Sequence, residues 1–257
     1  MSKPTTIDHR TRVAAERRER MRARLIESAM LVFADKGVGA SVIQDVIAAA
    51  GVSQGTFYNY FRTNHDLLVA VTQELNDELL RLVELEVREY TDPARRIACG
   101  IRMFLQAARA YPLFARFVGA AGLHSAGPSS LLYVYLPAHI EQGISEGRFR
   151  QISVEVALDV IVGTSLATVA RLANEDEPVC EPQEAVAAIM RALGVDEADS
   201  EALVSGPIAP ITASPESLLE RVHAGADGRQ RSGTSPHRAS KTGHDERRRH
   251  VRQRQNV

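Results

Sequence analysis

An all-α fold is predicted for this 257-residue chain by three features of its sequence. Apolar residues recur at the i, i+3, i+4, i+7 spacing of a helix in one segment after another. Ser, Thr, Asp and Pro stand where such segments begin, and Gly where they stop. Period-two alternation never persists long enough to predict a strand. The predicted layout is a small N-terminal helix-turn-helix domain followed by a larger helical domain.

Residues 1–15 read as a flexible basic arm. A first helix begins at Glu16, its apolar stripe formed by Ile26, Ala29, Met30 and Phe33, and Gly37 ends it. Ser41 opens a second helix with Gln44 three residues on, the spacing of a capping box. Its apolar face is Val42, Ile43, Val46, Ile47 and Ala50, and Gly51 stops it. Ser53 caps a short third helix that ends near Phe61. Thr63 or Asn64 caps a fourth, which carries Asp66 in its first turn and meets no breaker before Pro93. Further helices are expected from Pro93 to about Tyr111, Leu113 to Leu123, Ser129 to Glu146, Val154 to Asn174 and Pro182 to Leu193. From Ser205 onward Pro, Gly, Ser and Arg replace the aromatics, so 205–257 reads as a disordered basic tail. Leu218, Leu219 and Val222 could make one helical turn within it.

The stretch GVSQGTFYNYF, Gly51 to Phe61, carries the clearest functional signal. A helix ending at Gly51, a three-residue turn and a short second helix make a helix-turn-helix, whose second helix enters the DNA major groove. Ser53, Gln54, Gly55 and Thr56 are the small and polar residues at its start. Gly55 allows close approach, while Gln54 and Thr56 offer hydrogen bonds and a methyl to bases or phosphates. Phe57 and Phe61 are placed to pack inward, with Tyr58, Asn59 and Tyr60 off that face. A tight corner of an ordinary helical bundle is the competing reading of the local pattern.

Residues 22–68 resemble the DNA-binding domain of the TetR family of bacterial transcriptional regulators. The matching elements are FADKG, SVIQDVIAAAGVSQGTFYNYF and the Asp66-Leu67-Leu68 start of the fourth helix. The resemblance implies Gln44 near the DNA backbone, Gln54 and Thr56 at the groove, and Tyr58 and Tyr60 on phosphates. The family usually has Lys at position 64; here Asn64 followed by His65 stands there, which removes one fixed charge. Arg17, Arg18, Arg20, Arg22 and Arg24 could compensate, or could form a solvated helix face.

The resemblance also implies a ligand pocket and a dimer interface in residues 69–204. Phe104, Tyr111, Phe114, Phe117, Tyr133, Tyr135, Arg102 and His139 are the pocket candidates, and plain core is the competing reading for the aromatics. For the interface, Gly163, Ala167 and Ala170 form a small-residue stripe on one helix. Val186, Ile189, Met190 and Leu193 form an apolar face on another, and packing inside one subunit is the alternative.

Charge is uneven: ten Lys/Arg against seven Asp/Glu in 1–68, eleven against twenty in 69–205, and ten against five in 206–257. Basic ends suit a polyanion partner. The two cysteines, Cys99 and Cys180, form no CxxC, and no metal-ligand spacing is present, so no cofactor or metal is expected. No secretory signal pattern or apolar run long enough for a membrane span is found, which predicts a cytoplasmic protein. No nucleotide-binding, zinc-hydrolase or nucleophile-elbow motif is found, so an enzyme is not expected. The predicted function is a homodimeric repressor, bound to a double-stranded, palindromic DNA operator and released by a small-molecule effector. A DNA-binding architectural or constitutive regulator without an effector is the alternative.

Overall fold

The computed structural model describes residues 6–39, 42–123, 132–174 and 181–233, with side chains for 9, 11–39, 42–123, 135–174 and 181–225. Ser41, the side chain of Tyr133 and the tail beyond residue 233 therefore lie outside the described residues. Eleven helices are present among those described: α1 Thr6–Lys36, α2 Val42–Ala50, α3 Gln54–Tyr58, α4 Asn64–Val87, α5 Pro93–Ala110, α6 Pro112–Ala121, α7 Leu132–Ser145, α8 Val154–Leu172, α9 Pro182–Ala192, α10 Glu197–Ser205 and α11 Leu218–Gly233. No strand occurs among them.

The headpiece forms where the sequence stripes meet. Ile26, Ala29, Met30 and Phe33 of α1 are buried against Val42, Val46, Ile47, Phe57, Phe61 and Leu67. That cluster continues into the larger domain, because α1 also packs along α6 and α4 runs on into the bundle. Phe33 and Phe117 meet with ring centroids 6.2 Å apart, so the headpiece and α6 share one core. Gly37 and Gly51 close α1 and α2 with positive φ, as their positions predict. Thr63, rather than Asn64, caps α4, its hydroxyl accepting from the Asp66 N–H at 3.0 Å.

The predicted arm is helical from Thr6, ten residues earlier than Glu16. Its Ala, Arg and Glu residues favour helix without an apolar face, and Arg12 and Arg20 pair with Glu16 one turn away at 3.7 and 3.9 Å.

The tail expectation is also corrected. Residues 218–233 form α11, and Leu218, Leu219 and Val222 are buried in the main core. Three apolar side chains do not bury themselves alone; they are held because α11 lies against α1, α4 and α6. The Glu78 carboxylate of α4 accepts from the backbone N–H groups of Leu218 and Leu219, supplying partners for two of the helix's otherwise orphan donors. Arg221 of α11 reaches Glu27 of α1 and Glu74 of α4, each at 3.4 Å.

α10, which the sequence pattern did not reveal, is capped by Asp196 accepting from the Asp199 N–H at 2.9 Å. Arg148 joins it to the start of α5, reaching Asp199 at 2.8 Å and Asp92 at 3.2 Å. Gly194, at φ +99°, lets this corner close, since a Cβ there would lie 2.8 Å from the Arg150 nitrogen.

Candidate nucleic-acid interface and ligand cavity

The short helix α3 is fixed from behind and open in front. Phe57 is fully buried and packs on Phe61 with centroids 6.1 Å apart. Ser53 caps the helix: its Oγ accepts from the Thr56 N–H at 3.1 Å and lies 2.8 Å from the Thr56 hydroxyl. Gln54, Gly55, Tyr58 and Asn59 are exposed, and space is open where a Cβ on Gly55 would stand. Gln44 is exposed on α2, and His65 at the start of α4. Tyr60 is half-buried, with the Arg18 guanidinium 5.7 Å above its ring.

A cleft of about 840 Å³ opens between α3 and the first half of α1, with His9, Arg17 and Arg18 on one wall and Thr56, Asn59 and Tyr60 on the other. The N-terminal extension of α1 therefore sets cationic side chains beside the exposed polar face of α3.

Asn64 does not project toward that face as a substitute for the missing lysine. Its side-chain amide donates to the Val38 and Gly39 carbonyls at 2.9 and 3.0 Å, tying the start of α4 to the loop after α1. Lys36 and Asp45 brace the same corner at 2.6 Å.

The larger domain contains a cavity of about 130 Å³ between α4, α5, α6, α7 and α8. Of the pocket candidates, Phe104, Phe114, Phe117, Tyr135 and His139 line it. Phe104 and Phe114 meet edge to face at 5.7 Å. Burial, and then the Arg96 charge, lower the His139 pKa below the ordinary histidine value, so its imidazole is neutral near pH 7.

Two pocket candidates lie elsewhere. Arg102 donates to the backbone carbonyls of Leu203 and Gly206, where it holds the end of α10. Tyr111 is buried at the α5–α6 corner, donates to Glu220 at 2.7 Å, and meets His223 edge to face at 5.6 Å. Desolvation and the Glu220 carboxylate push its pKa up to about 12.

The dimer-interface candidates divide in the same way. Gly163, Ala167 and Ala170 lie exposed along one side of α8, together with Val156, and space is open beside Gly163. Val186, Ile189, Met190 and Leu193 are buried within the subunit, where α9 packs on α5, α8 and α10. Those four are core residues of one subunit, because an amphipathic helix in sequence does not say which neighbour covers its apolar side.

Sequence reasoning missed three cavity groups. Thr72, Ser165 and Arg96 line the cavity, and their Oγ1, Oγ and Nε atoms are buried with no hydrogen-bond partner among the described residues. The available signal was a polar residue on an otherwise apolar stripe, such as Thr72 between Leu68 and Leu75.

Helices throughout the described residues, an outward-facing short helix after a tight turn, and a larger helical domain that encloses a cavity are the architecture of a helix-turn-helix transcriptional regulator. The model of the bacterial regulatory proteins of the tetR family matches residues 25–71, and that of the tetracyclin repressor-like C-terminal domain matches 92–205. The chain belongs to the TetR family, whose members are transcriptional regulators and not enzymes.

Among curated relatives, the transcriptional repressor DhaR of Mycobacterium sp. strain GP1 is 33% identical over 78 residues, 30% of this chain and 39% of DhaR. The repressor LfrR of Mycolicibacterium smegmatis is 40% identical over 60 residues, 23% of this chain and 31% of LfrR. These matches span less than half of either relative. The crystal structure of RolR with the ligand resorcinol is similar over 77% of this chain and 100% of RolR, at 27% identity and a TM-score of 0.61. No helix among the described residues is long and apolar enough to cross a membrane.

Proposed function

We propose that the protein is a homodimeric repressor of a palindromic operator, released by a small-molecule effector held in the cavity. The observation that carries this reading is the reach of α4. Its first turns pack in the headpiece through Leu67 and Val71, while Thr72, Leu75 and Leu79 line the cavity. A ligand that changes how α4 sits therefore changes the position of α3, which shares that core. In a dimer, two recognition helices must fit successive major grooves, so a small tilt of each is enough to lose the site.

Gln54, Gly55 and Thr56 are assigned to base edges or nearby phosphates, and Ser53, Tyr58 and Asn59 to the backbone. Gln44, Tyr60 and His65 flank them. Arg17 and Arg18 across the cleft provide the fixed positive charge that Asn64 does not. The exposed Val156, Gly163, Ala167, Ala170 side of α8 is assigned to the two-fold interface. The resorcinol bound to RolR supports reading the cavity as an effector site.

The test is selection of genomic fragments by the full-length protein, followed by footprinting on the enriched sequence. Protection of two half-sites about 10 base pairs apart or a multiple of that, lost on adding a cavity ligand, supports the reading. Protection that no cavity ligand changes favours a constitutive regulator. Binding without sequence preference rejects the operator.

A further inference from the structure

We infer that α11 is a positioning element for DNA recognition, a role that rests on α3 being the helix that meets DNA. Through Arg221 it fixes the angle at which the headpiece, and with it α3, is held on the larger domain. The helix lies outside residues 25–71 and 92–205, which the two family models match.

α11 is held on both sides of the joint between headpiece and body. On the body side, Glu220 accepts from the Tyr111 hydroxyl at the α5–α6 corner at 2.7 Å, and His223 meets the same ring edge to face. On α4, which runs from one domain into the other, Glu78 accepts from the Leu218 and Leu219 N–H groups. One turn nearer the headpiece, Glu74 lies 3.4 Å from Arg221 Nη2, while Arg221 Nε reaches Glu27 of α1 at 3.4 Å. Leu218, Leu219 and Val222 are buried beneath these contacts, so the helix does not leave its seat without exposing them.

The ion pairs continue toward the recognition helix. The other Glu74 oxygen lies 3.6 Å from Arg22 of α1. Arg22 is one turn from Arg18, whose guanidinium stands over the Tyr60 ring just after α3. Glu27, Arg221, Glu74 and Arg22 thus form one half-buried network of two carboxylates and two guanidiniums, joining α11 to α1 and α4. The planar fork of Arg221 serves both carboxylates at once, and its remaining nitrogen donates to the Glu216 carbonyl of its own segment. Holding α1 and α4 in one relative position fixes α3, which shares their core through Phe57. A headpiece held in this way need not be ordered when it meets DNA, so the cost of that ordering is not subtracted from affinity.

The experiment uses the full-length protein and its variants Arg221→Gln, Glu74→Gln and Tyr111→Phe, with operator titrations over a range of salt and amide hydrogen exchange. Each variant should bind the operator roughly fivefold more weakly, the scale of one ion pair or hydrogen bond of this exposure. The sign for Glu74→Gln is decisive, because loss of a negative charge would by its field alone strengthen binding to DNA. Tyr111→Phe changes no charge and lies on the body side, so only the seating of α11 carries its effect. The slope of log affinity against log salt should keep its wild-type value, since no phosphate contact is lost. Arg221→Gln/Glu74→Gln should weaken binding less than the product of the two single effects, because both break the same pair. Amides of α2 and α3 should exchange several-fold faster in Arg221→Gln, with those of α8 and α9 unchanged. The assignment is overturned if Glu74→Gln binds as tightly as wild type or tighter, if the salt slope flattens in Arg221→Gln, or if exchange rises everywhere or nowhere. A wild-type protein that selects no operator would instead reject the regulator reading, and exchange alone then decides whether α11 holds the headpiece.

Discussion

Tyr111, at the corner between α5 and α6, donates a hydrogen bond to Glu220 of α11 at 2.7 Å, across 109 residues of sequence. With Glu78 beneath the first turn of α11 and Arg221 between Glu27 and Glu74, this hydrogen bond makes the helix part of the folded body.

Deleting residues 206–257 should therefore destabilise the protein. Burying Leu218, Leu219 and Val222 contributes roughly 1.5–3 kcal/mol each before the entropy of ordering α11 is subtracted. A net loss of about 2–5 kcal/mol is expected, read as a fall in melting temperature of several degrees. Truncation after residue 233 should leave the melting temperature near wild type. Equal melting for the 206–257 deletion and wild type would mean that α11 contributes no net stability.

Glu78 gives a pH test with a defined sign. Burial raises its pKa above the ordinary carboxylate value, and the Leu218 and Leu219 N–H groups only partly offset that. A raised folded-state pKa means that ionisation opposes folding. The contribution is fully favourable below the unfolded pKa and is lost as pH rises through the folded value. The unfolding free energy of wild type minus that of Glu78→Gln should thus decline from acid toward neutral pH. Chemical denaturation at several pH values measures it, and a difference that rises with pH would reverse the assignment.

Phe57 and Tyr58 are neighbours with opposite duties. Phe57→Ala should cost about 3–5 kcal/mol by opening a cavity in the headpiece. Tyr58→Phe should leave the melting temperature unchanged, since that ring is 44% exposed. It should weaken operator binding by about 1.5–3 kcal/mol if its hydroxyl meets a phosphate. Wild-type affinity in Tyr58→Phe would rule that hydrogen bond out.

Charge on the cleft wall is tested by salt. Arg17→Gln/Arg18→Gln should lower affinity for all DNA sequences alike and flatten the plot of log affinity against log salt by about 0.9 for each phosphate that is no longer neutralised. An unchanged slope would mark these arginines as a solvated helix face.

Gly163 separates assembly from folding. It is exposed and has open space around it, so Gly163→Leu should not clash within a subunit and should even favour α8 by up to about 1 kcal/mol. Sedimentation should nevertheless show monomers, because the added side chain holds the partner helix away. A dimer of normal affinity would place the interface elsewhere.

The helices of the headpiece were legible residue by residue. Ile26, Phe33, Val46 and Phe57 sit on stripes with helical spacing, and Gly37, Gly51 and Ser53 punctuate them through local backbone preferences. Such signals act within one or two turns, so they survive in a one-dimensional reading. The boundaries of α5, α6, α8 and α9 were read in the same way, whereas α4 ends at Val87, short of the Pro93 that was the first breaker the sequence showed. α10 was not legible, because its acidic sequence lacks a stripe and it is held by distant arginines, Arg102 and Arg148.

Tertiary structure decided which partner each amphipathic face and polar group meets. Val186 and Met190 look like interface residues until α5, α8 and α10 are seen to cover them. Arg102 and Tyr111 look like pocket groups until the α10 carbonyls and Glu220 are found beside them, while Thr72, Ser165 and Arg96 gain meaning only where five helices enclose them. The sequence by itself determined that this chain folds into helices and presents a helix-turn-helix, since both follow from short-range periodicity and capping. The fate of α11 depends on packing between segments more than a hundred residues apart, and the cavity on residues drawn from Thr72 to Leu166, and only the folded chain brings those surfaces together.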